Sequence, residues 1–465
     1  MLSGQYDILV DNMWLTDILA IILLLIPIFL LFMDGKWIFF FYTISIVANL
    51  PLVFNMAFNF SYEAIIGFVI VVIIIKEIIR YKVFRYQTTK ENIYLTFMLL
   101  GILGLNLLIS IFHLNKDEFL LRFFIYIVNI FVLVIYTYFF STSSNLKFIK
   151  NGFIIGAIIL VFSMIVEMIY GHYYLNIRNM RPAGLLLDPN VCAFTLNLAL
   201  VLSFIERKKN IFVFDLLFVA ARVLILFGIF LTVSRSAYIG TIFIIIALAI
   251  NYSKGKNSWL APTVVIVLIG FYVIFNNIIM NFIDNIYKII DLGRIFPKTD
   301  YVPPPPVGDG GGGSGGIDGN IDYSNSRLLL IRAAFYVFSN NFITGVGIGN
   351  VTREISILTD LEMNAHNLYL QLIAESGIIM LLTLLFFSYY VIVYIFRIEK
   401  KYKFIILLLF GIIFIESMFN HNLLNINIIY LVFAFILGLA MLSSKDRRVY
   451  VVGKDSFKLR KSRVK

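Results

Sequence analysis

Thirteen apolar stretches run through this chain, each at or near the length needed to cross about 30 Å of hydrocarbon. They fall at 14–33, 37–54, 63–79, 92–112, 119–140, 147–170, 189–205, 211–233, 236–252, 259–279, 367–396, 403–420 and 425–443. A bilayer interior offers no water, so each stretch must satisfy its own backbone as a helix. The composition agrees: 60% of the 465 residues are hydrophobic and the mean hydropathy is +0.92, more than a soluble core of this size can use. The expected fold is an all-α polytopic membrane protein, a bundle of about 12–13 transmembrane helices.

The net charge of +11 invites a nucleic-acid reading, but the lysines and arginines fall between the apolar runs. That pattern is a topology signal. The connections 76–90, 206–210, 253–257 and 397–403 and the tail 444–465 are basic and alternate onto one side, the cytoplasm. The other side receives 113–119, the loop 171–188, a long loop 280–366 and NHNLLN at 420–425. The N-terminus lacks the basic region of a cleavable signal peptide, so the first run is expected to remain as a span. A single cysteine, Cys192, leaves no internal disulfide.

Five parts follow: N-terminal spans 1–170, central spans 171–279, the extracytoplasmic loop 280–366, C-terminal spans 367–443 and the basic tail 444–465. Within the loop, 301–320 reads YVPPPPVGDGGGGSGGIDGN, a stiff proline piece followed by a flexible glycine coil. Beyond it, 324–342 spaces its apolar residues as an amphipathic helix capped by Ser324 or Asn325, with Arg327 and Arg332 on neighbouring faces. TGVGIGN at 344–350 lacks the lysine and the strand of a nucleotide loop and reads as a tight turn against the membrane.

Polar residues crowd onto the outer side. Arg235 stands in TVSRSAYIG, and NIRNMRPAGLLLDPN carries Arg178, Arg181, Asp188 and Asn190. The long loop adds Arg327, Arg332 and His366. One arginine at a membrane boundary is explained by snorkelling, but several against the positive-inside bias call for an anion. A guanidinium fork matches phosphate oxygens two at a time, so converging arginines suit a lipid-borne diphosphate. A neutral histidine can take a proton from an attacking sugar hydroxyl. This scheme needs no metal or cofactor, and the sequence shows no metal-ligand spacing. The plainer reading of His366 is a helix cap, and Asp188 and Asn190 fit the start of a span with Pro189 in its first turn. His421 reads as a turn residue; His113 and His172 suggest no role. Arg222, in mid-span, either snorkels to the cytoplasm or pairs with Asp215 or Glu167.

SRSA after a span, RPAGLLLDPN before one, and GVGIGN followed by NAHNLYLQLIAESG together resemble the O-antigen ligase and polysaccharide polymerase superfamily, over roughly 178–443. The resemblance implies glycan transfer from an undecaprenyl-diphosphate-linked donor at the outer face of the bacterial cytoplasmic membrane, without metal or nucleotide sugar. By motif, Arg181 and Arg235 would bind diphosphate and His366 would be the base, while Arg327 and Arg332 lie where such proteins carry another functional arginine. Asp188, Asn367 and Glu375 are supporting candidates, Glu375 weakly, because nine residues of helix put it about 13 Å from His366. Implied partners are membrane lipids, lipid-linked oligosaccharides, a flippase and a chain-length regulator, with no nucleic acid.

Within that superfamily a polymerase is favoured over a ligase, since no soluble domain for protein acceptors is attached and the Ile-, Lys- and Asn-rich usage suggests a low-GC bacterium. A transporter is the alternative from another class. It would show related halves and charged or broken helices at mid-membrane, and the sequence reveals neither.

Overall fold

The computed structural model describes residues 21–26, 35–58, 72, 84–113, 116–139, 143–170, 181–205, 212–252, 323–359, 363–398, 400–443, 446–452 and 458–463. The run at 14–33 apart from 21–26, the run at 63–79 apart from residue 72, the run at 259–279, Arg178 and the segment 301–320 lie outside them. The chain forms two compact units, Met1–Ile244 with Leu330–Lys465, and Ile245–Leu329. Every contact of the candidate site belongs to the first.

Where an apolar run is described, a helix follows it. In chain order they are α1 (Gly35–Ala48), α2 (Leu50–Phe58), α3 (Lys90–Ser110), α4 (Lys116–Phe139), α5 (Ser143–Tyr170), α6 (Pro189–Ser203), α7 (Phe212–Leu231) and α8 (Arg235–Tyr252). After the long loop come α9 (Tyr323–Asn340), α10 (Asn350–Thr359), α11 (Leu368–Arg397), α12 (Lys400–Ser417) and α13 (Asn427–Ser443). Four helices among the described residues are long and apolar enough to cross a membrane: Lys90–Ser110, Glu118–Thr137, Leu146–Met168 and Leu368–Arg397. Their outer faces carry Phe97, Phe124 and Phe396 at 66%, 61% and 72% exposure, an arrangement only lipid makes favourable. The protein is a multi-pass helical membrane protein.

Apolar burial gives helices little reason to associate inside lipid, so close backbone packing matters more. Gly152 and Gly156, one turn apart on α5, provide it: an added Cβ would lie 2.7 Å from the Phe40 carbonyl and 2.8 Å from Val47 Cβ on α1. The run expected at 37–54 is divided into α1 and α2 at Asn49, whose φ of 52° takes it out of the helix. Asn49 Nδ2 then donates to the Leu185 carbonyl at 2.6 Å.

Helix α6 is the axis of the bundle. Every residue of it but Asn190 is buried, and it packs on α5, α7 and α12. Asp188 caps its start, accepting from the amides of Asn190 and Val191, with Pro189 in the first turn. At its other end Arg222 donates to the Ser203 carbonyl at 2.8 Å and to Ser203 Oγ at 3.1 Å, and its guanidinium lies 4.2 Å from the Phe204 ring centre. Lys150 reaches the Ile205 carbonyl at 3.4 Å. Both cations thus meet the negative end of the α6 dipole. Arg222 thus binds the end of α6 next to the basic connection 206–210, the direction expected of a snorkelling side chain. Glu167 is engaged at the RPAG turn, and the side chain of Asp215 lies outside the described residues.

A small sheet adds to the bundle. Strand β1 (Phe84–Thr88) pairs antiparallel with β2 (Asp446–Val452), which pairs with β3 (Lys458–Arg463). Strand β1, from the end of the basic connection 76–90, and strands β2 and β3, from the basic tail, therefore form one sheet.

Candidate functional site

The RPAG turn is shaped by a buried acid. Glu167 on α5, only 2% exposed, accepts from the amides of Ala183 at 2.8 Å and Gly184 at 2.6 Å. Gly184, at φ 57°, passes so close to α5 that a Cβ would strike Ser163. The turn aims Arg181 at the end of α7, where Nε donates to the Thr232 carbonyl at 3.0 Å and a terminal nitrogen to Asn190 Oδ1 at 3.1 Å. Ser234 Oγ shares Asn190 Oδ1 at 2.9 Å and meets Ser236 Oγ at 3.0 Å. The two arginine motifs, more than fifty residues apart, are therefore one structure, with Asn190 as the pin.

Arg235 opens α8 and is exposed. Among the described residues it has no hydrogen-bond or ion-pair partner, and it sits where the helix dipole is positive and a cation is disfavoured. An anion there meets the guanidinium and the positive end of the α8 dipole, where the Ala237 amide is already capped by Ser234 Oγ at 3.5 Å. Asp188 is the cap of α6, whereas Asn190 does not cap it and instead accepts from Arg181 and Ser234.

His366 is not a cap. Asn367 caps α11, accepting from the Leu370 amide at 3.0 Å and donating to the Met418 carbonyl at 3.2 Å. His366 precedes it with φ 49°, a left-handed conformation that costs a non-glycine residue about 1–3 kcal/mol. The strain presents its ring edge-on to His421, with ring centres 5.4 Å apart. His421, expected only to turn the chain, is thus a direct neighbour. Burial, then the nearness of His366 and of Arg122, pushes the His421 imidazole down to about 3, so it is neutral near pH 7.

Glu375 reaches this pair through an intermediary. It is fully buried, accepting from Gln371 Nε2 at 2.9 Å and Asn106 Nδ2 at 3.0 Å. Arg122 on α4 interacts electrostatically with Glu375 and with His421, and hydrogen-bonds Tyr126, whose hydroxyl donates to Asn106 Oδ1 at 3.2 Å. The order His366, His421, Arg122, Glu375 joins four residues from three distant segments. Sequence reasoning missed Arg122, Asn106 and the role of His421. The available signal was an arginine four residues inside a span, FLLRFFIY, which should have been asked for its partner.

Helix α11 is broken at Gly377, with φ 69° and ψ −159°. The carbonyls of Ala374 and Glu375 accept the amides of Val346 and Gly347 at 2.9 and 2.8 Å, and the Ile378 amide donates to the Phe342 carbonyl at 2.7 Å. TGVGIGN is indeed a tight turn, with Gly345, Gly347 and Gly349 all at positive φ. It is stitched into a span. A Cβ on Gly345 would land on the Glu375 backbone, and one on Gly377 on that of Ile343. The expectation of no broken helix is therefore corrected: a charged side chain lies two residues before a break.

Helix α9 buries Leu330, Ala333, Ala334, Val337 and Phe338, the amphipathic spacing read from sequence. Arg332 is exposed on it, and the side chain of Arg327 lies outside the described residues.

No curated protein matches the chain. Residues 220–387 match the family model described as O-antigen ligase, a segment that holds Arg235, the interlocked glycine turn and His366, while Arg181, Arg122 and His421 lie beyond its edges. The chain is a multi-pass membrane protein whose residues 220–387 match the O-antigen ligase family model, in keeping with the superfamily its motifs resemble.

Proposed function

We propose that the protein is a polysaccharide polymerase of the bacterial cytoplasmic membrane, moving a glycan from an undecaprenyl-diphosphate-linked donor onto a lipid-linked repeat unit at the outer face. The observation that carries this reading is Arg235, an exposed cation on the first turn of α8, beside Arg181 in its hydrogen-bonded corner. A diphosphate between them would gain two guanidinium groups and the positive end of the α8 dipole as negative charge builds on its bridging oxygen. Arg327 and Arg332, ahead of the turn on α9, are the further cations of this reading.

In the reaction, the acceptor hydroxyl oxygen bonds to the donor's anomeric carbon as the bond from that carbon to the diphosphate oxygen breaks. The diphosphate leaves with the electron pair and the hydroxyl proton passes to His366. Attack opposite the leaving group inverts the anomeric configuration. Arginine charge does the work a divalent ion would otherwise do, so no metal enters the scheme. A flippase delivering lipid-linked units and a chain-length regulator would be its partners. Polymerase rather than ligase rests on the residue usage of the chain.

The test is to supply purified protein with lipid-linked repeat units and resolve the products. A ladder of lengths with released polyprenyl diphosphate supports the polymerase, and transfer of a glycan only to a different acceptor supports the ligase. The break at Gly377 beside buried Glu375 is the feature a transporter would share. Movement of labelled lipid-linked units across proteoliposomes without any new glycosidic bond would favour that reading.

A further inference from the structure

In and beside the turn between α12 and α13 lie polar atoms that no described residue satisfies. Asn129 Oδ1, Asn420 Nδ2, both ring nitrogens of His421 and Asn425 Oδ1 are buried and have no hydrogen-bond partner among the described residues. Asn129 is fully buried and Asn420 is 5% exposed. A buried polar atom without a partner is costly, and finding several on one short turn marks a place built to receive hydrogen bonds.

The contacts show that these atoms share a neighbourhood. Asn129 Nδ2 donates to the Leu424 carbonyl at 3.4 Å, which also accepts from Tyr430 at 2.9 Å, so α4 is docked on the turn. Asn420 Oδ1 accepts from the Asn422 amide at 2.9 Å and Asn425 Nδ2 donates to Asn422 Oδ1 at 3.3 Å, which fixes the turn's shape. Asn367 ties the start of α11 to it through Met418, and the His421 ring stands against that of His366.

The four side chains of Asn129, Asn420, His421 and Asn425 offer donors and acceptors and no net charge, and the buried Glu416 at the end of α12 brings a carboxylate oxygen, an acceptor, to the same turn. Asn420 offers N–H, Asn129 and Asn425 offer carbonyl oxygens, and neutral imidazole offers one of each. A phosphate wants donors only, and an apolar chain wants neither. Sugar hydroxyls, each both donor and acceptor, fit. We propose that Asn129, Asn420, His421 and Asn425 form a saccharide subsite that holds the acceptor sugar with its reacting hydroxyl toward His366. The word acceptor rests on the polymerase reading; saccharide binding does not.

The experiment measures binding without turnover. Repeat-unit oligosaccharide, cut from its lipid by mild acid, is titrated into purified wild type, His421→Phe, Asn129→Leu and Arg235→Ala, with saturation-transfer NMR as readout. His421→Phe keeps a ring against His366 and removes only nitrogens that bond to no described residue, so it should fold with an unchanged or higher melting temperature. The expected result is binding to wild type and Arg235→Ala, and at least tenfold weaker binding to His421→Phe and Asn129→Leu. Equal binding to His421→Phe overturns the proposal, as does no binding to wild type at millimolar saccharide, which would leave these atoms to ordered water. Should the saccharide bind as expected while lipid-linked units give no ladder, the subsite stands and the polymerase reading fails.

Discussion

The arginine corner and the histidine corner are built in opposite ways. Arg181, Asn190 and Ser234 come from two motifs flanking α6 and α7, and every bond among them reads from the motif residues themselves. The histidine corner gathers Asn106 and Arg122 from α3 and α4, Glu375 from α11 and His421 from the turn after α12. A corner made from short motifs can be read before folding. One made by distant spans becomes visible only when helix packing chooses which faces meet.

The glycine interlock tests the histidine corner hardest. Gly377→Ala and Gly345→Ala each put a Cβ onto the opposing backbone and demand positive φ of alanine. Each should cost more than about 2 kcal/mol, seen as loss of folded protein in thermal unfolding. A normal melt for either would mean that α11 is not broken as described.

Arg235→Ala is next. It should cut glycan transfer by about 10²–10³-fold with no change in melting temperature, because Arg235 supports nothing else among the described residues. Arg181→Ala separates the two arginines: it should lower transfer and also stability by about 1–3 kcal/mol, since the Thr232 carbonyl and Asn190 lose a donor. Identical stability in both variants would erase the distinction between the held and the exposed cation.

pH reads the histidine corner separately. His421 is held down to about 3 in the fold against about 6.5 when unfolded, so below pH 6.5 the unfolded chain takes up a proton that the folded chain refuses. Its contribution is fully present above about pH 6.5 and is lost as pH falls towards 3. Melting temperature should drop over that window, less so in His421→Phe. Smallest of all, Arg332→Ala should reduce transfer about threefold at low ionic strength, an effect that salt erases because the residue is exposed.

The span pattern was legible because a bilayer allows so few backbone solutions: 189–205 became Pro189–Ser203 and 367–396 became Leu368–Arg397. The break at Gly377 was not legible. A glycine after Glu375 and Ser376 in an apolar run looks like any helix glycine until the amides of Val346 and Gly347 are seen on the carbonyls before it. The GxxxG pair at Gly152 and Gly156 could have been found by spacing alone. For Arg222 the direction of reach was anticipated, but the Ser203 carbonyl was not, because a helix terminus leaves no mark of charge in the sequence.

The most direct test of the whole account is His366→Gly. Glycine adopts φ 49° without penalty, so the substitution removes the backbone strain together with the imidazole. The account predicts a melting temperature equal to wild type or higher and no glycan ladder from lipid-linked units. A ladder of wild-type length and rate from that variant would contradict it, reducing His366 to a bend before α11.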